Sequence, residues 1–224
     1  MELLPEPLPA QPMPLLAQWL ADAAERRLQP NPNAMVLATA TPDGRPSARV
    51  VLCKTIATEP GYIVFYTNYQ SRKGAELTAN PRAAAVIHWD HLQRQIRIEG
   101  VITQAPVEDS DAYFASRPWP SRIGAWASAQ SRPIGSRADL LKAVSDTASR
   151  FGAPHPGNEV TGEFSASIPR PPHWGGYRLW AEAVELWVEG TARVHDRVRW
   201  TRSLTDRGGG RFDTGPWTAT RLQP

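Results

Sequence analysis

MVLATATPDGRPSARVVLCKTI, residues 35–56, holds two β-rich runs, Met35 to Thr41 and Ser47 to Ile56, on either side of Pro42-Asp43-Gly44-Arg45. Asp-Gly accepts positive φ at little cost, so the segment predicts a β-hairpin. The residues beyond it keep the same character. Gly61 to Thr67, Ala83 to Trp89 and Gln95 to Thr103 read as strands, the last by clear alternation. Ser71 to Ala79 reads as a short helix with Ser71 as its N-cap. Short strands in close succession, without long crossover helices, predict an antiparallel barrel or sandwich and argue against a doubly wound parallel sheet.

Working outward, residues 1–12 are rich in proline and suggest a flexible arm. From Pro14 to Leu28, Leu15, Leu16, Trp19, Leu20 and Ala23 fall at helical spacing. Val107 to Ser116 is a further predicted helix, stopped by Pro118, and Arg137 to Phe151 follows a capping Ser136, with a polar loop between the two. Residues 152–173 carry many prolines and glycines and read as an exposed connection. Strands return at Tyr177 to Val188, Ala192 to Thr201 and Trp217 to Leu222, with a glycine turn over Asp206 to Arg211. No repeat or internal boundary stands out. The expectation is an α+β fold, with an arm over 1–12 and a single domain over 13–224: a barrel of roughly six antiparallel strands with flanking helices.

Composition narrows the functions open to this chain. No apolar run approaches the ~20 residues of a spanning helix, and the N-terminus lacks the basic and apolar regions of a leader, so a cytoplasmic location is expected. A lone cysteine, Cys53, excludes an internal disulfide, and the five histidines are scattered without metal-ligand spacing. The net charge of +3 comes without a basic run, which argues against nucleic acid as a partner. Of 25 basic residues only Lys54, Lys73 and Lys142 are lysines.

Two of those lysines sit where anion chemistry is plausible. Arg49 and Lys54 bracket a strong β-run, and alternation places them on opposite faces; solvent-facing strand ends are the plainer reading. Phe65-Tyr66-Thr67-Asn68 leads into Ser71-Arg72-Lys73-Gly74, where free N–H groups and the helix dipole favour an anion. Serine, arginine and lysine at a helix start are also common without a ligand. Tyr113 and Arg117, four apart on a predicted helix, share a face, as they would on an ordinary helix surface. Arg193 and His195, two apart on a predicted strand, project to one side.

Six motifs in order make the resemblance specific: Arg-Val-Val-Leu-x-Lys from Arg49, Phe-Tyr-Thr-Asn-x-x-Ser-Arg-Lys-Gly from Phe65, Ser-Arg-Pro from Ser116, Ile-Gly-Ala-Trp-Ala-Ser-x-Gln-Ser from Ile123, Pro-Pro-His-Trp-Gly-Gly-Tyr from Pro171 and Arg-Val-His-Asp-Arg from Arg193. The chain resembles the pyridoxine/pyridoxamine 5′-phosphate oxidases from about residue 30 to its end. The resemblance implies a split β-barrel and a homodimer with sites for flavin mononucleotide (FMN) at its interface. It implies FMN-binding roles for Arg49, Val50, Val51, Leu52, Lys54, Tyr66, Thr67, Arg72, Lys73, Gln95, Gln130, Ser131, Trp187 and Arg197. Substrate phosphate would fall to Lys54, Tyr113, Arg117 and Ser121, and the substrate ring to Arg193 and His195, which would orient it and assist in removing its proton. The implied reaction moves hydride from C4′ of pyridoxamine or pyridoxine 5′-phosphate to the flavin, with O2 as final acceptor, yielding pyridoxal 5′-phosphate, H2O2 and, from the amine, ammonia.

The chain departs from the family pattern in places. Cys53 replaces an aliphatic residue, Trp119-Pro120 fill a more polar position, and Val188-Glu189 replace Gln-Gly after Trp187. The N-terminal arm lacks a basic and aromatic cluster, and residues 156–168 read as an insertion. The alternatives are a related flavin oxidase acting on another ring, such as a phenazine precursor, or a non-catalytic protein that binds FMN or pyridoxal phosphate. The first of these would be expected to lose the set Lys54, Tyr113, Arg117 and Ser121, which this chain retains.

Overall fold

The hairpin expected from residues 35–56 forms, and its turn places Gly44 at φ 84°. The computed structural model describes residues 3–154 and 167–224. Helix α1 (Met13–Arg26) precedes β1 (Ala34–Ala40), β2 (Pro46–Leu52), β3 (Thr55–Ala57), β4 (Tyr62–Asn68), α2 (Arg72–Ala79), β5 (Arg82–Trp89) and β6 (Arg94–Gln104). Helices α3 (Val107–Ser116), α4 (Trp119–Ala127) and α5 (Arg137–Arg150) come next. The chain ends with β7 (Trp174–Val188), β8 (Asp196–Thr201), β9 (Leu204–Asp206), β10 (Phe212–Thr214) and β11 (Thr218–Arg221). A nine-stranded sheet runs β11-β8-β7-β6-β5-β1-β2, with β4 paired to β3 and β7, and β9 pairs with β10 separately.

Contacts group the chain into two units. One comprises Met1–Phe65, Glu76–Gln104 and Tyr177–Pro224; the other comprises Tyr66–Ala75 and Ala105–Gly176. In the first, alternation along β6 buries Ile96, Ile98 and Ile102 and leaves Gln95, Arg97 and Glu99 half-exposed on the opposite face. Leu179, Val184 and Leu186 of β7, Val198 and Trp200 of β8 and Ile87 and Trp89 of β5 are buried with them. Each such side chain contributes about 1.5–3 kcal/mol by leaving water. A β-bulge interrupts the β6–β7 register between Glu99 and Gly100, where a Cβ would sit 1.8 Å from the Trp180 carbonyl oxygen. Only glycine fits there. Helix α1 buries Met13 together with Leu16, Trp19 and Ala23 of the expected positions, leaves Leu15 and Leu20 half-buried, and ends at Arg27 in the left-handed region. The second unit has its own core of Phe114, Ile123, Ala148, Ile168 and Trp174.

Several expectations need correction. The run over 47–56 is two strands, because the chain changes partner at Cys53-Lys54: β2 pairs with β1, and the Lys54 N–H donates to Val64 O at 2.8 Å beside the β3–β4 ladder. Lys54 therefore lies between strands, and the opposite-face argument for Arg49 and Lys54 does not apply. The polar loop after Pro118 contains a helix, α4, with proline tolerated in its first turn. Trp119, Ile123 and Trp126 supply the helical spacing that could have revealed it. The last long strand begins at Asp196 rather than Ala192, since Thr191–Arg193 form a 3-10 turn. Of the connection 152–173, residues 155–166, with most of the expected insertion, lie outside the described residues, whereas Ile168 and Pro171 are buried rather than exposed. Residues 3–12 carry no helix or strand, and they touch the first unit at Leu4 N–H to Asp196 Oδ2 (2.9 Å) and at Trp200 Nε1–H to Pro9 O (3.0 Å).

Cys53 is 2% exposed, and burial pushes its thiol pKa up to about 12. The thiolate is the reactive form. The native protein is therefore expected to resist a disulfide thiol reagent at mildly alkaline pH and to react once unfolded. Fast labelling of the folded protein would contradict the burial.

Candidate active site

In the second unit, the end of β4 and the start of α2 build a polar pocket floor. Ser71 Oγ accepts from the Gly74 N–H at 3.3 Å, capping α2 as expected, and donates to Asn68 O at 2.7 Å. This local geometry turns Lys73 inward, 8% exposed, where Nζ donates to Thr67 Oγ1 at 3.1 Å and to Gln130 Oε1 at 3.0 Å. Thr67 Oγ1 also donates to Gln130 at 3.2 Å. Thr67 and Lys73 of one motif thus meet Gln130 of another. An inward-turned ammonium among these oxygens is a group that suits an anionic oxygen ligand, since charge-assisted hydrogen bonds are the stronger ones. Arg72 and Ser131 are exposed, the latter at φ 71°.

Beside this floor, Tyr66 stacks on Tyr113 with ring centroids 3.9 Å apart and on Trp174 at 5.6 Å. Arg117 lies over Trp174 at 4.7 Å, and its Nη1 is buried with no hydrogen-bond partner among the described residues. Burial holds the Arg117 pKa below its ordinary value, partly offset by Tyr113. Arg117 and Ser121 line a cavity of about 330 Å³ with Asn68, Ser128, Gln130 and Trp174. An unpartnered buried guanidinium N–H on a residue that lines such a cavity calls for an acceptor, and an anion satisfies it best. Asn68, Ser128 and Trp174 were not singled out from sequence as ligands, although all three stand inside quoted motifs.

In the first unit, the Arg49 guanidinium donates to Leu37 O at 3.1 Å and to the hydroxyls of Thr39 and Ser47, and pairs with Glu76 at 3.3 Å. Its charge is thereby engaged inside the unit. Of its neighbours, Val50 is exposed and Val51 and Leu52 are half-buried, and Lys54 is exposed. Gln95, Trp187 and Arg197 form one cross-strand row over β6, β7 and β8. Arg197 donates through Nε and Nη2 to Glu185 Oε1, at 3.1 and 2.8 Å, and through Nη1 to Gln223 O at 3.0 Å. The Val188-Glu189 departure leaves the register regular: Val188 pairs with Arg94 and Asp196, and the Glu189 N–H donates to Gln93 O at 2.8 Å.

Arg193 and His195 are not on one strand face. Arg193 is exposed at φ 64°, next to Ala192 at φ 56°, and β8 begins only after His195. His195 is half-buried, its ring 4.7 Å from that of Trp187, and its Nδ1 receives the Gly190 N–H at 3.1 Å. The tight turn from Gly190 interrupts the strand alternation on which the expectation rested. Among the described residues there is no cluster of three or more metal-ligating side chains, and no helix is long and apolar enough to cross a membrane.

Comparison with known proteins agrees with these features. Residues 20–151 match the family described as pyridoxamine 5′-phosphate oxidase, and residues 174–224 match the pyridoxine 5′-phosphate oxidase C-terminal dimerisation region. A pyridoxine/pyridoxamine 5′-phosphate oxidase of Rhodospirillum rubrum is 44% identical over 217 residues, covering 95% of this chain and 96% of its own. One from Paraburkholderia phymatum is 47% identical over 207 residues, covering 92% and 86%. Among solved structures, PhzG from Burkholderia lata in complex with tetrahydrophenazine-1-carboxylic acid superposes with a TM-score of 0.80 at 32% identity, over 96% of this chain and 94% of its own. Fold and motifs together define an oxidoreductase of the antiparallel split-barrel class, the α+β fold expected from sequence. The chain belongs to the pyridoxamine 5′-phosphate oxidase family.

Proposed function

We propose that the protein is an FMN-dependent oxidase that converts pyridoxamine and pyridoxine 5′-phosphates into pyridoxal 5′-phosphate, acting as a cytoplasmic homodimer. The observation that carries this reading is Arg117, which lines a cavity with Ser121 and Asn68 and holds a buried Nη1 with no hydrogen-bond partner among the described residues, a setting that suits a small anionic substrate. In the second unit, Lys73, Thr67 and Gln130 would hold the cofactor phosphate, with Arg72, Tyr66 and Ser131 beside them, while Arg117, Ser121 and Tyr113 would hold that of the substrate. In the first unit, Gln95, Trp187 and Arg197 would meet the flavin, and Arg193 and His195 the substrate ring; Val50, Val51, Leu52 and Lys54 would contribute from the β2 end. Arg49, tied to Glu76, would act by shaping that region. Bound FMN would supply the acceptor for hydride leaving the substrate carbon, with O2 restoring it. What the protein contributes is placement of the reacting carbon and neutralisation of the anions. A partner copy suits β2, which is a sheet edge and exposes Val50 to 65%.

The test supplies FMN-loaded protein with each B6 phosphate and measures O2 uptake and product. Turnover of both is expected. Oxidation of a reduced phenazine carboxylic acid with neither B6 phosphate consumed would favour the second reading, to which the PhzG likeness points. Independently, Lys73→Met is expected to weaken FMN binding about 10- to 100-fold in a fluorescence titration, the loss of one charge-assisted hydrogen bond of about 1.5–3 kcal/mol. Unchanged affinity would remove Lys73 from the cofactor site.

A further inference from the structure

On the face that β6, β7 and β8 share, Glu185 is 4% exposed, and its carboxylate pairs with two guanidinium groups. Oε1 accepts from Arg197 Nε at 3.1 Å and Nη2 at 2.8 Å, and Oε2 accepts from Arg97 Nη1 at 3.2 Å. A carboxylate this deep persists only with such partners, since stripping water from it is costly. Its direct cross-strand neighbour Arg199 turns instead to Glu99 at 2.7 Å, which Arg97 also reaches at 2.9 Å. Three arginines thus share two carboxylates, and the cluster keeps one positive charge.

Within this cluster Arg197 is the member that stands in the row with Gln95 and Trp187. A guanidinium has five N–H groups. Glu185 takes two of them and Gln223 O a third, at 3.0 Å from Nη1, which leaves one on each Nη with no partner among the described residues. The side chain is 23% exposed, so those two remain reachable. Bonds at Nε and Nη2 together fix the plane of the group as well as its position. We propose that Glu185 is a positioning residue for the cofactor: it holds the Arg197 guanidinium so that its two remaining N–H groups meet the flavin, and it offsets part of the charge. The proposal rests on the placement of Arg197 at the flavin in the reading above. Reduction puts negative charge on the flavin ring, so a full positive charge beside it favours the reduced form over the oxidised. Glu185 tempers that preference.

The experiment is a double-mutant cycle on FMN affinity, read by fluorescence titration, with the flavin midpoint potential measured alongside. Glu185→Leu, which has no acceptor, is expected to weaken FMN binding about tenfold, the loss of roughly one hydrogen bond to a charged group. In an Arg197→Met background the same change is expected to add nothing, because the group that it aims is gone. Equal loss in both backgrounds would mark Glu185 as plain support for the sheet and overturn the proposal, as would an Arg197→Met variant that binds FMN like the wild type. Glu185→Gln keeps an oxygen for Arg197, removes the charge, and carries the test if Glu185→Leu does not fold. It is expected to retain most of the FMN affinity and to favour reduced over oxidised FMN about tenfold more than the wild type, a midpoint about 30 mV higher for two electrons. An unchanged midpoint would also overturn the proposal. If the wild type binds FMN yet oxidises neither B6 phosphate, the oxidase reading falls, while the affinity cycle and the midpoint still decide the role of Glu185.

Discussion

Replacing Arg117 by alanine is expected to lower kcat/KM for either B6 phosphate by about 100- to 1000-fold, almost all of it through KM. The guanidinium stacks on Trp174 at 4.7 Å and carries a buried Nη1–H with no partner among the described residues. Satisfying that donor with a phosphate oxygen gains a charge-assisted hydrogen bond and removes a desolvated, unmatched group. Truncating one partner of a buried charged pair costs about 2–5 kcal/mol, and each 1.4 kcal/mol is a factor of ten. Phosphate binds the ground state and the transition state alike, which is why the loss appears in KM. Arg117→Lys should recover only part of it, since an ammonium offers neither the planar fork nor the stacking face that lies over Trp174. The check is steady-state kinetics of both variants alongside flavin titration. KM unchanged, with FMN still bound, would place the substrate phosphate elsewhere.

Arg202→Ala is expected to destabilise the protein by about 3–5 kcal/mol without touching the proposed site. Its guanidinium donates to three backbone carbonyls, Ala181 O at 2.8 Å, Pro60 O at 2.7 Å and Gly61 O at 2.7 Å, and covers the Trp217 ring at 4.3 Å. Burial pushes its pKa down to about 10, so at neutral pH the side chain stays a cation and every one of these bonds is charge-assisted. Alanine leaves the carbonyls short of donors at a net cost of about 1–1.5 kcal/mol each, with the lost stacking added. A chain of this size should then melt roughly 10 °C lower, at about 2–4 °C per kcal/mol. A thermal melt checks this, and Arg202→Lys should behave much like alanine, since one ammonium cannot span three carbonyls. A melting temperature within a degree or so of wild type would mean that the clamp contributes nothing.

Periodicity alone was sufficient for most of the secondary structure. Alternation in Gln95 to Thr103, the Asp-Gly turn before Ser47, and the caps at Ser71 and Ser136 each act over a few residues, and each holds: Ser136 Oγ accepts from the Asp139 N–H at 3.1 Å just as Ser71 does from Gly74. The ordered motifs made the family legible as well, because they are properties of the string. What sequence could not settle were partner changes and close approaches. Nothing local marks Cys53-Lys54 as the point where the chain leaves β1 for β4, because the break depends on which strand lies alongside. Arg49 offered no sign in the sequence that Glu76, 27 residues on, would lie beside it. Arg193 and His195 read as one strand face because their spacing is right, yet a turn whose geometry depends on Gly190 meeting Val194 O separates them. The sequence by itself determined the local elements and the family, since short-range sterics and hydrogen bonding act on neighbouring residues. Only the tertiary structure decided which cations are already paired, because that depends on groups brought close by folding.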